Sequence, residues 1–500
     1  MTGNVETAAP QSLAHRPHFH FAPLAKWMND PNGMVYLDGE YHLFYQYYPD
    51  DIIWGPMHWG HAVSYDMIHW QHLPIALYPD ELGYIFSGSA VADVNNTAGF
   101  KNGEITPLVA IFTYHDPIGE KAERIDYQTQ GIAYSTDRGR SWTKYAGNPI
   151  IKNPGMKDFR DPKVMWYEPG QHWVMSLAAG DKILFYKSAN LIDWTLTGSF
   201  GEHYGAHGGV WECPDLLELP VEGSSLKKWV LLVSINPGGP NGGSATQYFI
   251  GNFDGKTFIS ENPVNTELWI DFGTDNYAGV TWSNVPVHDG RCLFIGWMSN
   301  WNYGQKVPTT TWRSAMTVPR SLHLRETAQG IRLISQPVKE LETLHEAFIP
   351  ISTTAFTKHS ELSAIQFYTY ELYLEFDLEQ TKAADFGVAL YNHKNEKVRI
   401  GYDVKARQFY IDRNQSGKID FSDNFVGRQL APRFSEAATL KMHLIVDVAS
   451  VELFADDGAT VMTAIFFPNE DFNKAALFSD HAITLLQSGK VTRLNPAEFK

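Results

Sequence analysis

The chain has 500 residues, 44% of them hydrophobic and 19% charged, a globular composition too long for one ordinary core, so at least two domains are expected. Its 40 Lys and Arg against 56 Asp and Glu leave a formal charge of −16, which argues against nucleic acid as partner. No apolar run approaches the ~20 residues that span a bilayer, and two cysteines, Cys213 and Cys292, can build neither a disulfide scaffold nor a Cys-rich zinc site.

The first twenty residues lack a basic segment followed by an apolar one. The numbered chain thus shows no signal peptide, and reads as cytoplasmic as written, or extracellular or periplasmic if a leader was removed. Residues 1–17 are read as an N-terminal extension. From 18 to 335, short aromatic-rich runs alternate with Gly, Pro, Asn and Asp, and amphipathic helical spacing is scarce. Met34–Leu37, Asp38-Gly39 and Glu40–Phe44 predict a tight hairpin. A degenerate repeat runs through the same region: Ser64-Tyr65-Asp66 leads to Trp70, Ser135-Thr136-Asp137 to Trp142, Ser188-Ala189-Asn190 to Trp194, and Asn252-Phe253-Asp254 to Phe258. A strand, a polar turn and an aromatic recurring in one phase predict propeller blades. Residues 336–348 change to helical spacing after a proline and are read as a linker. The alternating strands of 349–500 fit a β-sandwich.

Three segments share one form, a carboxylate at or just before a proline and then a strand: Asn29-Asp30-Pro31, Arg160-Asp161-Pro162 and Trp211-Glu212-Cys213-Pro214. Proline holds its predecessor extended, so each acid is expected at a strand entrance. One such motif is ordinary turn chemistry. Three in one phase, on first strands that face a common axis, would gather Asp30, Asp161 and Glu212 with Arg160 in a single funnel. Several carboxylates there suit glycosyl transfer, in which one ionised acid meets an oxocarbenium-like centre and another delivers a proton to the leaving oxygen.

Trp27–Gly33, Phe159–Pro162 and Trp211–Asp215 resemble the three signature blocks of glycoside hydrolase family 32, which holds invertases, exo-inulinases and levanases. Phe86–Ala90, Gly296–Trp301 and Thr311–Met316 add to the likeness. The resemblance implies an all-β fold, a five-bladed β-propeller followed by a β-sandwich. It also implies Asp30 as nucleophile, Glu212 as general acid/base and Asp161 as transition-state stabiliser. Asn29, Gln46, Trp54, Phe86, Ser87, Arg160, Asp275 and Trp301 are implied around the fructosyl unit. The implied activity is retaining exo-hydrolysis of terminal β-fructofuranosyl residues of sucrose, fructo-oligosaccharides or fructans. A fructosyltransferase using the same acids and a non-catalytic fructan-binding protein are the rival readings. No cofactor, metal, nucleic acid or membrane is expected, and association of copies through the sandwich is left open. Burial beside Trp211 is expected to keep Glu212 protonated.

Other features carry less. His58, His61, His69 and His72 have His-x-x-His spacing without a zinc-protease Glu, Gly238–Gly243 lacks the Lys-Ser/Thr of a phosphate cradle, and Cys213 is read as a packed thiol. Of Trp27, Trp54, Trp59 and Trp70, Trp54 beside Gly55-Pro56 is the one expected to face sugar.

Overall fold

The computed structural model describes residues 14–500, so residues 1–13 of the expected N-terminal extension lie outside the described residues. Five four-stranded antiparallel meanders follow one another, the first extended by a short parallel strand, Trp312–Arg313, that pairs with Lys26 and Trp27. Blade I comprises Lys26–Leu37, Glu40–Tyr48, His58–Ser64 and Trp70–Leu77; blade II comprises Tyr84–Ala92, Leu108–His115, Gln128–Ser135 and Thr143–Lys144. Blade III runs from Phe159–Tyr167 through His172–Ala179 and Lys182–Ser188 to Thr195–Phe200. Blade IV holds Val210–Pro220, Lys227–Asn236, Ala245–Phe253 and Phe258–Ser260. Blade V holds Tyr277–Thr281, Cys292–Trp297, Arg320–Thr327 and Gly330–Pro337. The first strands of successive blades pack side by side, and those of blades I and V also meet, which closes the ring. Across that seam Ser283 accepts from the Tyr36 N–H at 3.0 Å and its own N–H reaches Met34 O at 3.1 Å.

The local chemistry that forms these blades is the chemistry visible in the sequence. Asp38 and Gly39 both take positive φ, +49° and +93°, the conformation a two-residue hairpin demands. Each copy of the polar repeat folds into the same turn between a blade's third and fourth strands. Ser64 Oγ accepts the Met67 N–H at 2.7 Å, and Trp70 Nε1–H returns to Met67 O at 2.9 Å. Ser135 with Trp142, and Ser188 with Trp194, repeat the pattern. In blade IV Asp254 takes the serine's role, accepting the N–H groups of Lys256 and Thr257, each at 2.9 Å.

The last propeller strand ends at Pro337, two residues beyond the expected boundary, and a 3-10 helix, Lys339–Leu344, buries Leu341 and Leu344 before the first sandwich strand begins at Ile349. The sandwich packs a seven-stranded sheet on a six-stranded one. No described helix is long and apolar enough to cross a membrane.

Propeller and sandwich are joined by buried charge. His20, on the segment leading into blade I, places Nδ1 2.7 Å from Asp447 and Nε2 2.8 Å from Glu452, both in the sandwich. Arg320 of blade V bridges Glu452 and Asp271, and Arg413 of the sandwich pairs with Asp275 at 2.7 Å. Such pairs repay their desolvation best where the remaining polar atoms are also bonded, and here Thr463, Tyr303 and backbone groups supply most of those bonds, while Arg320 Nε is left without a partner. The two domains are thereby fixed in one arrangement.

Candidate active site

All five first strands carry one extra residue at the same level. Between Met28 and Pro31, Ile85 and Gly88, Arg160 and Lys163, Glu212 and Asp215, and Tyr277 and Val280, two residues oppose one on the neighbouring strand. In blades III and IV Pro162 and Pro214 lie within the skip and have no N–H for the ladder, and in blade I Pro31 directly follows it. A bulge re-aims side chains and is frequent beside active sites. Asp161, Cys213 and Ala278, at equivalent positions of blades III, IV and V, all adopt positive φ, at +64°, +47° and +53°. The expected strand entrances are therefore bulges inside the strands, and they turn Asp30, Ser87, Asp161, Glu212 and Tyr277 toward the axis.

These side chains form one hydrogen-bonded cluster. Asp30 accepts from Asn29 Nδ2 at 3.0 Å on one oxygen and from Ser87 Oγ at 2.8 Å on the other. Trp27 Nε1–H holds the Asn29 carbonyl at 2.7 Å, which fixes which end of that amide meets Asp30. Asp161 accepts the Cys213 backbone N–H at 3.0 Å, and the Cys213 thiol lies 3.5 Å from Asp161 and 3.7 Å from Asp30. Arg160 donates through Nε and Nη2 to one oxygen of Glu212, at 3.2 and 3.1 Å, while Nη1 bonds Asp158 at 2.8 Å. The Tyr277 hydroxyl bonds the other oxygen of Glu212.

Burial pushes the Asp30 carboxyl up to about 6, with help from the nearby Glu212 charge and against the hydrogen bonds of Asn29 and Ser87. Burial likewise raises Asp161, opposed by Arg160 and reinforced by Glu212 and Asp30. The Cys213 thiol is held well above its ordinary range by burial and by the surrounding carboxylates, so it serves as a neutral donor between two acids. Trp211 does not cover Glu212, contrary to the expectation from sequence. Its indole stacks on His207 and packs against Phe249 on the other face of the strand, and Arg160 and Tyr277 are the groups that meet the carboxylate.

The cluster floors a cavity of about 270 Å³ lined by Asn29, Asp30, Gln46, Trp54, Phe86, Ser87, Arg160, Asp161, Glu212 and Trp301, all of them expected at the site. Gln46 donates to Ile85 O at 3.1 Å, and Trp54 stands edge-on to Phe86 with ring centroids 6.0 Å apart. Trp301 is stacked obliquely on Trp297 at 4.9 Å. Trp27, Trp59 and Trp70 are core residues. Asp275 is placed elsewhere: it is fully buried, and its oxygens are taken by Arg413, Tyr303, Thr274 and the Ile465 N–H. Its partner comes from the sandwich, and nothing in the local sequence announced that pairing.

Tyr277, His115, Glu120, Tyr127, Gln128, Asp158 and Gln305 were not singled out from sequence. Tyr277 had one signal, its place at the blade V position equivalent to Glu212. The others sit on loops or blade flanks with no motif. No cluster of three or more His, Cys, Asp and Glu able to hold a metal occurs among the described residues. His61 instead stacks on Phe44 at 4.1 Å, and His69 bonds Asp66 at 2.7 Å. A larger groove of about 640 Å³ lies between the 3-10 helix and the sandwich, but its Lys441 and Glu375 are already engaged by Asp457 and Ser488.

The family model described as glycosyl hydrolases family 32 N-terminal domain matches residues 20–337, and that described as glycosyl hydrolases family 32 C terminal matches residues 340–494. The chain is 50% identical over 469 residues to a levanase of Bacillus subtilis, covering 93% of this chain and 68% of that protein. It is 40% identical over 501 residues to an extracellular exo-inulinase of Aspergillus niger, covering 94% and 93%. The crystal structure of exo-inulinase from Aspergillus awamori superposes with a TM-score of 0.88 at 36% identity, covering 98% of this chain and 100% of that one.

Proposed function

The chain belongs to glycosyl hydrolase family 32, and we propose that it is a retaining exo-β-fructosidase releasing terminal fructosyl units from sucrose, fructo-oligosaccharides and fructans. One observation carries the reading: Asp30, Asp161 and Glu212, from three blades, line one cavity of about 270 Å³. That volume is below the ~300–1,000 Å³ of sites for drug-sized ligands, and it suits a single sugar ring. A space for one ring favours removal of the terminal unit. Similarity to a levanase and to exo-inulinases supports fructan as the substrate class.

In this reading Asp30 attacks the anomeric carbon C2, its carboxylate aimed by Asn29 and Ser87. Glu212 gives its proton to the departing oxygen, and a fructosyl–enzyme ester remains. Arg160 occupies one oxygen of Glu212, so the oxygen shared with Tyr277 is the one that handles the proton. Water, deprotonated by Glu212, then attacks C2 and regenerates Asp30 with retained configuration. Asp161 uses one oxygen for the Cys213 N–H and leaves the other for fructose hydroxyls.

Time-resolved product analysis on sucrose, inulin and levan tests this. Fructose should be the first product from both polymers, and shorter fructans released before fructose would refute exo-action. Solvolysis with added methanol should yield the methyl β-fructofuranoside; the α-anomer would refute retention.

A further inference from the structure

Two cavity residues, Trp301 and Gln305, come from one segment, residues 298–311, which joins Cys292–Trp297 to Trp312–Arg313 without helix or strand of its own. Loops of that length are uncommon in a folded domain and are usually functional. Trp301 rests on Trp297 and Trp27, and Gln305 Oε1 accepts the Trp54 N–H at 3.2 Å, so this loop sets two aromatic walls of the cavity. Tyr303 lies between them in sequence and is 1% exposed. Its hydroxyl turns to the sandwich, donating to Asp275 Oδ1 at 2.6 Å and accepting from Arg413 Nη2 at 2.9 Å.

Every N–H of the Arg413 guanidinium is engaged. Its Nε reaches Phe425 O, Nη1 reaches Asp275 and Ile465 O, and Nη2 reaches Thr274 Oγ1 and the Tyr303 hydroxyl, while the group lies 3.8 Å from the centre of the Phe425 ring. A planar fork of fixed donors suits that set of acceptors, which a lysine ammonium could not cover. The junction between the domains does not need Tyr303. Asp275 and Arg413 span it directly, and His20 and Arg320 span it elsewhere. What the Tyr303 hydroxyl adds is a bond from that junction to the loop. We infer that Arg413 and Tyr303 are positioning residues for the sugar site: with Asp275 they hold the loop so that Trp301 and Gln305 stand in the cavity. The sandwich is then part of the binding machinery and not only a support. This rests on the β-fructosidase reading, and goes beyond it by giving the second domain a share in substrate affinity.

The test is steady-state kinetics on sucrose, with thermal melts, for the full-length wild type, Tyr303→Phe, Trp301→Ala and the double variant. Tyr303→Phe keeps the pair of Asp275 and Arg413 but releases the loop from it. A loop in place for about a tenth of the time raises KM about tenfold and leaves kcat within about twofold, since saturating sugar restores the competent state. With Trp301 already removed there is less to position, so the same substitution should raise KM by about twofold or less in the Trp301→Ala background. Arg413→Lys keeps a charge beside Asp275 without the fork and should reproduce the KM rise; it replaces Tyr303→Phe in the cycle if that variant does not fold. Equal KM factors in the two backgrounds overturn the inference. A lower Tm or kcat with unchanged KM overturns it as well, because the contact would then serve the junction alone. A wild type that releases no fructose from sucrose would instead sink the parent reading, so the two failures are distinct.

Discussion

Replacing Asp30 by Asn should make the protein more stable at neutral pH while it abolishes turnover. In the folded chain the Asp30 carboxyl is raised from 3.8 to about 6, chiefly by burial. A carboxyl raised on folding binds its proton more tightly in the native state. The folded state therefore gains relative stability below the ordinary value and loses it as pH climbs through about 6. A rise of about 2 units at ~1.36 kcal/mol each is a cost of about 3 kcal/mol for the ionised form. Asp30 keeps some contact with solvent, so a gain of about 1–3 kcal/mol at pH 7.5 is expected from an isosteric neutral residue. The amide oxygen introduced by Asp30→Asn can still accept one of the present hydrogen bonds. For a chain of this length, unfolding entropy of ~2 cal/mol/K per residue turns that gain into a Tm increase of about 1–3 °C. Thermal melts at pH 4, 5, 6 and 7.5 should show the difference growing with pH and vanishing near pH 4, with sucrose hydrolysis reduced by several orders of magnitude. A variant less stable than wild type at pH 7.5, or a pH-independent difference, would refute the claim that Asp30 is held against its desolvation.

Three further outcomes follow from the same geometry. Ser87→Ala removes the 2.8 Å bond that favours ionised Asp30, so the acid limb of kcat/KM, expected near pH 6, should move upward by about 1 unit; a limb that stays put would exclude Asp30 as its origin. Tyr277→Phe strips the hydroxyl from the proton-handling oxygen of Glu212 and should cut kcat about tenfold with little change in KM, measurable by steady-state kinetics on sucrose. His20 is raised to about 9 by Asp447 and Glu452 despite burial, so its stabilisation is complete below pH 6.5 and is lost as pH rises through about 9. His20→Gln should therefore lower Tm at pH 6 by more than at pH 10, and equal losses at both would show that its charge is not what joins the domains.

Local chemistry was legible wherever the sequence acts on its own neighbours. Asp38-Gly39 specifies a turn by backbone preference alone, and each Ser-x-Asp turn with its tryptophan is closed within a few residues. The acid motifs were legible because each sets its carboxylate and a proline at or beside the skip of a first strand, though the skip is a bulge within the strand and not its entrance. What the linear order left undecided is every feature that depends on a distant partner. Asp275 has the look of a site acid until Arg413 arrives from the sandwich to bury it, and Trp211 faces away from Glu212 because strand alternation places it on the opposite side. Tyr277, Glu120 and Asp158 become site residues only when blades II, III and V close around one axis, since a tyrosine in a strand and carboxylates on polar loops carry no spacing of their own. Sequence set which residues could do chemistry and how each strand bends to present them; closure of the ring chose which of them share one cavity, because only three-dimensional contact supplies the burial and charge that give a side chain its role.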